Sequence, residues 1–167
     1  VLQSEYSLWS RNAELGALQA CQTLGIAYVA FSPVGRAFLT GKLQSVEGLL
    51  AGDIRQTMPR FNASEYARNM QLLVPMAVLA QQVGCTLAEL AIAWVLHQGA
   101  HVVALPGTTS VDHLHEDVRG ASVKLSAEIL AALDALFQPE VIAGDRYALQ
   151  GQREVDTEKF AFEQTGK

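Results

Sequence analysis

The sequence predicts an α/β fold built on a parallel sheet, and three observations carry that expectation. Short runs that read as strands stand at Val1–Ser7, Ile26–Phe31 and His101–Gly107. Each is followed by helix-like sequence, and short connections join the first strand, helix and second strand in the βαβ pattern. Ile26–Phe31 (IAYVAF) is almost continuously apolar, which predicts a strand covered on both faces.

The first helix is expected over Arg11–Gly25, with Leu15, Leu18 and Leu24 on roughly one face, Asn12 capping its start and Gly25 its end. Ser32–Phe61 holds two prolines and little periodicity, so it predicts a long irregular segment, and such segments are usually functional or mobile. Asn62 and Glu65 predict a capping pair for a helix reaching about Val83, and Thr86 with Glu89 forms a second capping box opening TLAELAIAWVLHQG. Ser110, with Asp112 in the first turn, starts a helix through Arg119, and Ser126 opens SAEILAALDALF. These elements make one α/β unit over 1–137. From Gln138 the sequence is polar and aperiodic, with Gly144, Gly151 and Gly166, which predicts a C-terminal loop and tail over 138–167. Three strands cannot close a barrel of eight. If they belong to a (β/α)8 TIM barrel, which takes about 250 residues, the chain holds the C-terminal strands and helices of an incomplete barrel. It opens at Val1 directly in strand-like sequence, and so reads as a piece of a longer polypeptide.

Composition excludes several functions. Of 167 residues, 50% are hydrophobic and 17% charged, enough to bury a core. The formal net charge of -5 argues against broad binding to nucleic acid or to an anionic membrane, so any phosphate must be held locally. No run reaches the roughly 18 apolar residues of a membrane span. Cys21 and Cys85 lie far apart without metal-ligand spacing and read as reduced thiols of a cytoplasmic protein. His113, Glu116 and Asp117 share a helix face while His115 points elsewhere, which implies no metal set.

Two strand exits carry the chemistry, because ligands of parallel α/β folds bind at the carboxyl ends of strands. In LPGTTSVDHLHED, Gly107 permits close backbone approach, Thr108, Thr109 and Ser110 offer hydroxyls, and the following helix start favours an anion. A capped helix after a turn accounts for the same residues. In FSPVGRAFLTGK, residues 31–42, Ser32, the backbone at Gly35 and the Arg36 guanidinium suit a phosphate. Phe31 either offers a face to a planar ring or packs into the sheet wall. Two anion-friendly exits in one sheet fit a dinucleotide.

QSEYS, AFSPVGRAFLTGK, the PRF ending at Phe61, LAIAWVLHQG, and LPGTTSVDHLHEDV followed by GDRY together resemble the C-terminal half of a bacterial-type aldo-keto reductase, in the family's order and over nearly the whole chain. The resemblance implies an NADP(H)-dependent reductase of small carbonyl compounds on a (β/α)8 barrel. It implies that Phe31, where the family usually has tyrosine, stacks on the nicotinamide, and that Gln3 bonds its carboxamide. It places Ser32, Val34 and Arg36 along the pyrophosphate, Gly107, Thr108, Thr109, Ser110 and His113 around the adenosine 2'-phosphate, and Glu116 and Asp117 at the adenine. Asparagine is frequent at the position of Asp117; a carboxylate accepts from the amino group but cannot donate to a ring nitrogen. Where the family often has lysine or arginine around the 2'-phosphate, this chain has Gly107 and His113, so its preference for NADP(H) is expected to be modest and pH-sensitive.

The family's catalytic aspartate, tyrosine, lysine and histidine lie on earlier strands. Tyr6, Tyr28, Tyr66 and Tyr147 do not match the catalytic tyrosine's motif, so no catalytic residue is expected here. The alternatives are a non-catalytic nucleotide-binding or truncated barrel protein, and a different phosphate-binding (β/α)8 enzyme. An incomplete barrel exposes sheet edges and apolar helix faces, which predicts self-association or association with the missing half.

Overall fold

The computed structural model describes residues 1–155 and 158–164. Three strands, β1 (Leu2–Glu5), β2 (Tyr28–Phe31) and β3 (Val102–Leu105), form a parallel sheet in the order β1-β2-β3. Their register is flush: Leu2, Tyr28 and Val102 lie level at one end, Glu5, Phe31 and Leu105 at the other. All three carboxyl ends therefore open at the same edge.

The helices are α1 (Ala17–Leu24), α2 (Ala63–Val83), α3 (Leu87–Leu96), α4 (Val111–Gly120) and α5 (Ala127–Leu136), followed by the short α6 (Leu149–Glu154) and α7 (Ala161–Gln164). No single helix among the described residues is long and apolar enough to cross a membrane. The Thr86–Glu89 capping box forms in both directions, and the hydroxyls of Ser110 and Ser126 accept from the third residue of α4 and α5, as their sequences predict.

Several expectations are corrected. The Arg11–Gly25 helix is broken at Gly16 into a 3-10 turn, Asn12–Leu15, and α1. Asn12 caps nothing: it is buried, and its amide donates to the Glu158 carbonyl and the Glu163 carboxylate. Leu15 and Leu24 are exposed, and of the inferred apolar face only Leu18 packs against the core. Gly25 does end α1, in the left-handed conformation. Asn62 stands at the start of α2 without a side-chain capping bond. The segment Ser32–Phe61 contains three 3-10 turns, Phe38–Thr40, Ile54–Thr57 and Pro59–Phe61. The expected tail holds a 3-10 turn, Pro139–Val141, as well as α6 and α7; Gly166 lies outside the described residues.

Burial on both sheet faces is also corrected. Tyr28, Ala30 and Val102 are buried under the helices, while Val103 and Leu105, on the opposite face, are 51% and 46% exposed. Strand alternation assigns Gln3, Val29 and Phe31 to that same open face. Both cysteines are free, Cys21 buried and Cys85 half-buried.

Two aromatic clusters fix the frame around the carboxyl edge. Trp94 of α3, fully buried, packs 5.3 Å from Tyr6, and its indole N–H donates to Asp134 of α5 at 3.1 Å. Just past β1, Trp9 stacks on Phe38 at 4.0 Å with Phe61 against its edge. This second cluster anchors the loop that leaves β2.

Candidate functional site

The chain leaves β2 through a backbone that few residues adopt. Ser32, Arg36 and Ala37 all have positive φ, at 54°, 53° and 76°, beside Gly35 at 58°. Left-handed residues other than glycine are costly and cluster where a site dictates their geometry. What holds them is visible. Phe38 and Leu39 are fully buried, the Gly35 N–H donates to the Ser32 carbonyl at 2.9 Å, and Arg36 Nη1 donates to Ser32 Oγ at 2.8 Å. A Cβ at Gly35 would stand 3.2 Å from Trp9 Cε3, so this position, already in the left-handed region, favours a glycine.

This loop is one wall of a cleft of about 680 Å³ at the carboxyl edge of the sheet. Phe31, Ser32, Val34 and Arg36 line it from the β2 side, and Gly107, Thr108, His113, Glu116 and Asp117 from the β3 side. Nothing lies within 4 Å of where a Cβ on Gly107 would stand, so the backbone at this corner is open to a guest. Beyond it, the Thr108 hydroxyl accepts from the Ser110 N–H at 3.1 Å and Ser110 caps α4.

Of the twelve residues that the sequence nominates, these nine share the cleft. Thr109 is exposed and does not line it; Ser110 does not line it either and serves as the cap. Gln3 lies outside the lining as well, exposed on the sheet face that carries Phe31, two positions before Glu5 in the strand.

A third wall was not nominated. Thr40, Lys42, Asp53, Ile54 and Arg55 close the cleft between the other two. Lys42 Nζ reaches across to Glu116 Oε2 at 2.7 Å, and Arg55, paired with Asp53 at 2.6 Å, donates to the Arg36 carbonyl at 3.2 Å. Lys42 was readable as the end of FSPVGRAFLTGK. Asp53 and Arg55 lie in aperiodic sequence that carries no signal for their position. Three cations thus gather in one cleft of an acidic chain.

Its carboxyl groups are set apart by their partners. Burial alone would raise Glu116, but the Lys42 ammonium and a bond from Thr86 outweigh it and hold the carboxyl below its usual range. Asp117 is pushed up by burial and by the charge of Glu116. Hydrogen bonds from Arg55 hold Asp53 at about 2, against an ordinary 3.8. A depressed carboxyl contributes stability that is complete above its unfolded value and is lost as pH falls through the folded one. The Asp53–Arg55 brace is therefore expected to weaken between about pH 4 and pH 2. Thermal melts across that range should decline less steeply for Asp53→Asn than for the unchanged chain; identical slopes would mean that the brace contributes nothing.

These features define the class: an α/β fold with a cleft at the carboxyl ends of parallel strands, where ligands of such folds bind. Within that class the chain belongs to the aldo/keto reductase family, whose family model matches residues 1–138. Solved structures agree. A thermostable aldo-keto reductase in complex with the inhibitor epalrestat is 28% identical, with a TM-score of 0.55 over 80% of this chain and 38% of its own. An aldo-keto reductase from Klebsiella pneumoniae in complex with NADPH is 27% identical, with a TM-score of 0.57 over 82% of this chain and 39% of its own. A glycerol dehydrogenase from Gluconobacter oxydans, at 24% identity, shares the fold with a TM-score of 0.71 over 82% of this chain and 42% of its own. The chain thus spans about two fifths of the length of each of these structures.

Proposed function

We propose that this chain is the cofactor-binding part of an NADP(H)-dependent reductase of aldehydes or ketones, formed from the C-terminal strands of a (β/α)8 barrel. The observation that carries the reading is the cleft itself: residues from two distant strand exits, nominated from sequence for one dinucleotide, line one space of about 680 Å³. The NADPH complex of the Klebsiella pneumoniae relative supports the choice of guest.

The fit is chemical as well as spatial. Arg36 has five N–H donors, of which three are used by Ser32, Glu5 and Tyr147, so donors remain for a phosphate. Phe31 is half-buried, with one face against the Arg36 guanidinium at 5.9 Å, and its ring borders the cleft. On this reading Ser32, Val34 and Arg36 hold the pyrophosphate, and Gly107 and Thr108 with His113 hold the 2'-phosphate beside Thr109 and Ser110. Asp117 faces the adenine with Glu116, whose carboxylate Lys42 already occupies in part. Gln3 and Phe31 orient the nicotinamide. When bound, the nicotinamide supplies the hydride for a carbonyl carbon. This chain's residues bind and orient it, and no tyrosine here is assigned the proton transfer, so turnover by the chain alone is not expected.

NADPH fluorescence titration tests the reading. Saturable one-site binding is expected, with a modest preference over NADH, and Phe31→Ala should weaken it by about fivefold, on the order of 1 kcal/mol of lost ring stacking. A folded chain that binds neither nucleotide would refute the reading; binding that ignores Phe31→Ala would assign the ring to the sheet wall.

A further inference from the structure

The GDRY stretch, Gly144–Tyr147, lies outside the cleft lining, yet it reaches the phosphate loop. Gly144 sits in the left-handed region at φ 83°, and its carbonyl accepts from buried Arg60 Nε at 3.1 Å. Three residues on, the Tyr147 phenol donates to Glu5 Oε2 at 2.7 Å and accepts from Arg36 Nη2 at 3.2 Å. Arg36 Nη2 also reaches Glu5 Oε2, at 3.1 Å. The guanidinium lies over two rings, 5.9 Å from the Phe31 centroid and 5.7 Å from that of Tyr147. Burial, the charge of Glu5 and the bond to it all push the Tyr147 phenol up, so it stays a donor.

We infer that Tyr147, backed by Glu5, is a positioning residue for Arg36: the C-terminal segment orients the guanidinium toward the pyrophosphate of a bound nucleotide. This rests on the nucleotide reading above and deepens it. A long arginine side chain samples many rotamers, and holding it in the binding geometry beforehand removes that cost from the binding step. Glu5, the hydroxyls of Ser32 and Tyr147 and two neighbouring rings hold the guanidinium. Its unused donors are left for the ligand.

The test uses two probes that engage opposite walls of the cleft. ADP carries a pyrophosphate and no 2'-phosphate; adenosine 2'-monophosphate carries the reverse. Tyr147→Phe removes one oxygen and keeps the ring over Arg36, and is expected to weaken ADP by about three- to tenfold while leaving adenosine 2'-monophosphate unchanged. Glu5→Gln, a second variant should the first not fold, is expected to give the same split. By charge alone, removing a carboxylate beside an anion site would tighten ADP; positioning predicts the opposite. Equal ADP affinity in the variants, or a parallel loss of both probes, overturns the inference and leaves the nucleotide reading standing. Failure of the unchanged chain to bind either probe overturns both.

Discussion

Alanine in place of Arg36 is expected to lower NADPH affinity by about tenfold or more and to cost the fold about 3 kcal/mol. The affinity follows from losing charge-assisted hydrogen bonds to phosphate, each stronger than a neutral one. The stability follows from Glu5. Its side chain is only 5% exposed and that of Arg36 15%, so deleting the guanidinium strands a buried carboxylate. Breaking such a pair from one side costs about 3–5 kcal/mol. The lower end applies, because the hydroxyls of Ser10 and Tyr147 still donate to Glu5, at 2.8 Å and 2.7 Å. Arg36→Lys separates the two effects: it keeps the charge beside Glu5 and loses the planar fork. It should therefore recover more stability than affinity. Urea unfolding and nucleotide titration of both variants check this, and a destabilised variant with unchanged affinity would make Arg36 a strut of the loop alone.

Valine at Gly144 is expected to destabilise the chain by about 3 kcal/mol. Two costs add. The backbone is left-handed at φ 83°, where a β-branched residue is strained. The new Cβ would also stand 3.0 Å from Arg60 N and Pro59 C, which are backbone atoms and cannot rotate away. Relief requires Gly144 and the Pro59–Phe61 turn to separate, giving up the Arg60–Gly144 bond and moving Tyr147 off Arg36. Gly144→Ala should fall between the two, because alanine tolerates the left-handed region better than valine. Loss of less than about 0.5 kcal/mol for Gly144→Val, the range of a neutral surface change, would show that this junction is not a fixed tie.

The strands were legible because Ile26–Phe31 and His101–Gly107 are short runs rich in apolar strand formers, although the burial of both faces that such runs imply is not met at Val103 and Leu105. Capping was legible at Thr86, Ser110 and Ser126, where local chemistry decides. It failed at Asn12, whose amide is drawn into contacts with residues about 150 positions later, which no local rule contains. Leu15 and Leu24 misled for a related reason: the helix they imply breaks at Gly16, so a spacing that would align them on one face never forms. At the site, residues next to strand ends could be nominated, because the fold fixes where those ends are. Asp53, Arg55, Tyr147 and the buried Glu5 could not. They arrive by long-range packing from aperiodic segments or hide inside a strand, and their importance lies in what they hold rather than in their own pattern.

Amide hydrogen exchange of the 167-residue chain, with and without saturating NADPH, tests the central claim most directly, because it reports binding and its location together. The account predicts added protection concentrated in Ser32–Ala37 and in Gly107–His113, the two strand-exit walls of the cleft, with a smaller effect at Gly144–Tyr147 through Arg36. Unchanged exchange in both walls, or protection confined to another part of the chain, would contradict it.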